Sequence, residues 1–135
     1  MLALMLSIFC VSCSSNVISP EILAEMKVCS DEYKALYDEI STSDIALSEQ
    51  EWAYLQVQAL ACSYSAQIPL GRKLNLDMRS AWQQANSFQK EADSLCEKIN
   101  LTPNEAEFCA KYVRMHVCFA KKCLIEHCIE LHSKH

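Results

Sequence analysis

The sequence is poor in the residues that make tight turns, with one Gly and three Pro among 135 residues. A β-sandwich or barrel needs a turn between every pair of short strands, so both are disfavoured. Positive charge is also scarce: 12 Lys and Arg stand against 17 Asp and Glu, a net charge of −5. A nucleic-acid partner is therefore not expected, since binding to phosphate needs a basic footprint. No Gly-rich phosphate loop, GxSxG or HExxH is present, and all four histidines lie beyond residue 115. An enzyme is not expected, and neither is a cofactor. The N-terminal apolar run in "MLALMLSIFCVSCSS" is only about half of the roughly 20 residues a bilayer-spanning helix needs.

What is present suits one domain: the length allows no more, and 51% of the residues are apolar, enough for a core. The uncharged first fifteen residues, closing on small residues near Cys13 to Ser15, read as a secretory signal peptide. No Lys or Arg follows Met1, and a short core helix or a membrane anchor are the other readings of such a run. The expected organisation is a signal peptide over 1–15 and a single domain over 16–135, secreted and extracellular. Removing Cys10 and Cys13 leaves Cys29, Cys62, Cys96, Cys109, Cys118, Cys123 and Cys128 of the nine cysteines. A small secreted domain with that many reads as a disulfide scaffold. Seven is odd, so at least one is free or engaged elsewhere.

Periodicity predicts an all-α protein. Ile22, Met26, Cys29, Tyr33, Leu36 and Ile40 recur at three-four spacing, after Ser19 as cap and Pro20 as first helical residue. A second helix starts at Ser48, where Glu51 completes a capping box, and carries Trp52, Leu55, Ala59 and Cys62 on one stripe. The Pro69-Leu70-Gly71 sequence predicts a turn. A third helix is expected from about Asp77 to Ile99, its inner face marked by Met78, Trp82, Ala85, Phe88, Ala92, Leu95 and Cys96. Thr102, Pro103 and Glu105 open a fourth that runs toward Leu131, and Asn100-Leu101-Thr102 is a glycosylation sequon.

That last helix holds "FCAKYVRMHVCFAKKCLIEHC", with four cysteines in residues 108–128. At about 100° per residue, Cys109 and Cys118 lie on opposite sides and roughly 13 Å apart along the axis. They cannot bond to each other, so each faces a different neighbour.

The segment "CEKINLTPNEAEFCAKYVRMHVC", residues 96–118, resembles the last three cysteines of insect odorant-binding proteins. Twelve residues separate Cys96 from Cys109 and eight separate Cys109 from Cys118, gaps similar to the family's. Cys29, beside "SDE", is similar to the family's first cysteine. The pattern departs at Cys62, which stands where the family has a second and a third cysteine, and Cys123 and Cys128 lie outside it. The resemblance implies a small disulfide-stapled bundle of about five to six helices around an apolar cavity. It implies a Cys96–Cys118 bond together with Cys62–Cys109 or Cys29–Cys62, depending on register.

The resemblance further implies a carrier of a small hydrophobic molecule such as an odorant or pheromone, monomeric or weakly dimeric, with a membrane receptor as a further partner. The lining expected from the stripes is Trp52, Trp82, Phe88, Phe108, Tyr112, Met115 and Phe119. The other reading of these side chains is a filled core. Tyr112 and His116 are candidates to orient a ligand, and His116 is a candidate acid-triggered release switch. A metal site at Cys123–His127 and Cys128–His132 is disfavoured, because the two pairs point about 140° apart on one helix. The alternative function is a secreted helical signalling or salivary or venom effector acting through protein partners, with a solid core in place of a cavity.

Overall fold

Three of the four described helices begin where a side chain caps first-turn N–H groups that have no partner in the helix itself. The computed structural model describes residues 18–133. These form four helices: α1 (Pro20–Ser41), α2 (Glu49–Lys73), α3 (Arg79–Cys96) and α4 (Pro103–Ser133). The segment read as a signal peptide lies outside the described residues. Among those described, no helix is long and apolar enough to cross a membrane.

The caps match the sequence pattern. Ser19 Oγ accepts the Ile22 N–H at 3.3 Å ahead of Pro20. Ser48 Oγ accepts the Glu51 N–H at 3.2 Å, and Glu51 Oε1 accepts the Ser48 N–H at 2.8 Å. Thr102 and Glu105 repeat the exchange at 3.2 and 2.9 Å.

Two expectations fail locally. The turn at Pro69-Leu70-Gly71 does not form, and α2 continues through Pro69 to Lys73. An internal proline costs about 3 kcal/mol. Here Pro69 sits on the exposed side while Ile68 and Leu70 are buried beside it, and burial of each contributes about 1.5–3 kcal/mol. The chain turns a few residues later. Asn75 takes the left-handed conformation at φ 58°. The Leu76 N–H then donates to Gly71 O at 2.8 Å, and the Asn75 N–H to Arg72 O at 3.1 Å, a Schellman ending. Gly71 serves close approach here, because a Cβ at this position would collide with the Met78 thioether.

The second failure is in α3, which is shorter than expected and rotated. Its buried residues are Ala81, Ala85 and Ala92, whereas Trp82 is 58% exposed and Cys96 is exposed. Ala85, Ala92 and Phe88 of the expected face do meet α2, but Ala81 replaces Trp82 beside them.

The helices follow an up-down-up-down course, but their spatial order is α1–α4–α2–α3. α1 is antiparallel to α4, as ion pairs Glu25–Lys121, Glu32–Arg114 and Glu39–Lys111 show at 3.5, 3.9 and 3.4 Å. α4 runs parallel to α2, with Trp52 against Phe108 at one end and Leu70 and Leu74 against Ile125 at the other. α3 folds back on α2, bringing Gln89 to Gln58. No other pair of these helices runs side by side. The described residues thus make an open array of four helices, with α1 and α3 at its edges, where five to six around a cavity were expected.

Two apolar clusters hold the array at its ends. Ile22, Leu70, Leu74, Ile125 and Cys128 join α1, α2 and α4. Leu55, Phe108 and Cys109 form the second, with Trp52, Tyr54, Tyr112 and the Ile45–Leu47 connection packed around them. Along the α1–α4 seam, Ile22, Cys29 and Leu36 are buried at seven-residue intervals. The three ion pairs beside them are partly exposed and contribute little each, about 0–1 kcal/mol. Their consequence is register more than stability.

Candidate functional site

The α2 and α4 helices present a groove on one face of the array. Leu60, Ser63, Tyr64 and Gln67 line it from α2, and His116, Phe119, Ala120 and Cys123 from α4, around a volume of about 300 Å³. A second depression of about 270 Å³ adjoins it, shares Leu60, Ser63 and His116, and adds Gln56, Ala59 and Tyr112. Aromatic rings back the groove on both sides. Tyr64 stacks on Phe88 of α3 at 5.9 Å, and Phe119 leans on Tyr33 of α1 at 5.5 Å. All four helices therefore contribute, although only two line it.

Leu60 and Phe119 remain 43% and 49% exposed at its rim. The polar groups are few: the Ser63 hydroxyl, the Gln56 and Gln67 amides, the Tyr64 and Tyr112 hydroxyls and the His116 ring. His116 lies 4.4 Å from the Tyr112 ring, centroid to centroid. Burial lowers the His116 pKa from its ordinary value and raises that of Tyr112. No carboxylate lines either depression, so a protonated His116 would have no counter-charge there.

The seven side chains expected to line one cavity are dispersed. Tyr112 and Phe119 reach the groove. Phe88 supports it from behind. Trp52 meets Phe108 and Tyr112 edge-on at 6.0 and 5.6 Å, and Phe108 and Met115 are 7% exposed; these three fill the core. Trp82 stands apart, beside Arg72 and the Asp77–Arg79 ion pair near the α2–α3 turn. Leu60, Ser63, Tyr64 and Gln67 were missed from the sequence. They share a three-four spacing on α2, but on a stripe offset from Trp52, Leu55, Ala59 and Cys62.

The cysteines expected in disulfides, Cys29, Cys62, Cys96, Cys109 and Cys118, are free thiols in the structure, as is Cys123. Cys128 is disulfide-bonded. Cys109 faces α2 within the Leu55–Phe108 cluster, while Cys118 faces α1, its Sγ donating to Glu32 Oε2 at 3.5 Å. The implied Cys96–Cys118 pair is separated because Cys96 ends α3, which packs on α2, whereas Cys118 faces α1 on the other side of α4. Cys29 and Cys62 likewise approach α4 from opposite sides. Cys62 and Cys109 both line a depression of about 610 Å³ on the reverse face of the α2–α4 pair, with Tyr54, Gln58, Val113 and Arg114. Burial, then the nearby Cys96, Cys109 and Cys62, raise the Tyr54 pKa. Among the described residues no group of three or more His, Cys, Asp or Glu is arranged to hold a metal ion.

In comparisons with known proteins, no family model, curated protein or solved structure matches the chain.

Proposed function

We propose that the protein is a secreted carrier that holds a small hydrophobic molecule in the α2–α4 groove, as its resemblance to insect odorant-binding proteins implies. The observation that carries this reading is the pair of large apolar side chains, Leu60 and Phe119, left exposed at the rim of an aromatic-backed groove. An apolar ligand lying there removes that surface from water at about 25 cal/mol per Å². The groove's size falls at the low end of the range for small-molecule sites, and its mostly apolar lining with a few orienting polar groups has the usual character. Ser63, Tyr112 and His116 are the groups that would orient a ligand hydroxyl or carbonyl.

The test is binding of an environment-sensitive naphthylamine dye, followed by displacement with apolar alcohols and esters. Ser63→Phe would fill the groove and weaken dye binding at least tenfold. Trp82→Ala, outside the groove, would leave it unchanged. Dye binding that is insensitive to Ser63→Phe sinks the carrier reading.

A second reading, a helical effector acting through a protein partner, is favoured by one observation. Trp52, Phe108 and Met115 fill a core where a carrier's enclosed cavity was expected. Absence of dye binding from a folded chain would favour it.

A further inference from the structure

Cys29 and Cys118 are the central pair of the α1–α4 seam. In this antiparallel pairing Glu25 meets Lys121 and Glu32 meets Arg114, and Cys29 and Cys118 fall between those two contacts on their respective helices. Glu32, one turn from Cys29, also accepts the Cys118 thiol at 3.5 Å, which brings Cys118 to the level of Cys29. Both thiols are 5% exposed.

We propose that Cys29 and Cys118 form an intramolecular disulfide that staples α1 to α4, with glutathione disulfide or an equivalent disulfide-bonded oxidant as co-reactant. This pair is neither of the alternatives the family resemblance implies for Cys29, nor the Cys96 partner it implies for Cys118. It follows from the packing order: among the described residues α1 lies along α4 and meets α2 only near Ile22, so Cys29, two turns further on, faces α4. The chemistry is two successive exchanges. One cysteine thiolate attacks the oxidant's S–S bond, forming a mixed disulfide and releasing one glutathione thiolate. The second cysteine thiolate then attacks the mixed disulfide at the protein sulfur and releases the other. Two protein thiols are oxidised, one glutathione disulfide is reduced to two thiols, and the two protons pass to them. Because both thiols are covered in the assembled seam, the exchange takes place while α1 is undocked, during folding or a transient opening.

The consequence is specific to an edge helix. α3, at the other edge, stays close to α2 through a short turn, whereas α1 is joined onward by a longer connection and held laterally by one seam. A bond closing a loop of this length restricts the unfolded chain strongly. It is expected to raise the thermal unfolding midpoint by on the order of ten degrees over the reduced chain.

The sequence makes the test clean, since trypsin cuts after Lys27, Lys34, Arg114 and Lys121, leaving Cys29 in peptide 28–34 and Cys118 in peptide 115–121, one cysteine in each. The full chain is refolded in a glutathione redox buffer, alkylated at low pH, digested without reduction and analysed by mass spectrometry. The expected product is 28–34 joined to 115–121 and lost on reduction. A parallel thermal scan should show a reduction-sensitive shift that is smaller in Cys118→Ser, where only the Cys128 disulfide remains to be reduced. Recovery of both peptides separately alkylated, or of either joined mainly to a peptide carrying Cys62, Cys96 or Cys109, overturns the proposal. The mapping needs no variant, so misfolding of Cys118→Ser does not rescue it.

Discussion

Ile125 is fully buried where α1, α2 and α4 meet, against Ile22, Leu70, Leu74 and Cys128. Ile125→Ala removes three carbon groups from this junction. At about 0.8 kcal/mol per buried CH₂ the transfer loss is roughly 2.4 kcal/mol. A residual cavity adds to it, because three helices anchored along their length close only partly around the gap, giving about 3–4 kcal/mol in all. Ile125→Val removes one group and should cost about 1 kcal/mol. Leu60→Ala, at a site 43% exposed, should cost under about 1 kcal/mol. Urea unfolding followed by circular dichroism, with all variants in one redox state, reads these differences. With a slope near 1.5–2 kcal/mol per M, Ile125→Ala should lower the midpoint by about 2 M. If it costs no more than Leu60→Ala, residue 125 does not lie at a packed three-helix junction, and the spatial order α1–α4–α2–α3 is wrong.

Ser48→Ala removes one half of the α2 capping box and should cost about 1 kcal/mol in the same assay; no measurable change would mean that α2 starts elsewhere. His116 has a folded-state pKa below its ordinary value because burial disfavours the cation. The unfolded chain therefore binds this proton more readily. His116 leaves stability intact above pH of about 6.5 and lowers it as pH falls beneath that value. The stability difference between the unsubstituted chain and His116→Gln should change between about pH 7.5 and about pH 5, and a constant difference would contradict the placement of His116 in a desolvated groove. Burial, then the neighbouring Cys29 and Glu32, push the Cys118 thiol up to about 12, so the reactive thiolate is scarce at pH 8. In the reduced, folded chain iodoacetamide should modify Cys118 far more slowly than exposed Cys96 and Cys123. Comparable rates of alkylation would show that the seam is open.

The sequence by itself determined what local chemistry decides. The all-α class followed from three-four periodicity and scarce glycine. The starts of α1, α2 and α4 followed from Ser19-Pro20, Ser48-Glu51 and Thr102-Glu105, because a cap is satisfied within one turn of its own residue. The divergence of Cys109 and Cys118 followed from helix geometry alone. Tertiary structure decided the rest. It carried α2 through Pro69, since burying Ile68 and Leu70 offset a local penalty, and moved the turn to Asn75. On α3 it kept Ala85 and Ala92 against α2 as expected but put Ala81 there in place of Trp82, which faces water, because close packing of two helices favours small side chains that periodicity cannot rank above a tryptophan. It placed α4 between α1 and α2, which sends Cys118 toward Cys29, fills the core with Trp52, Phe108 and Met115, and leaves Leu60 beside Phe119 at a groove. A helix's own sequence specifies which side is apolar, but the neighbour covering that side is chosen by packing across residues distant in the chain.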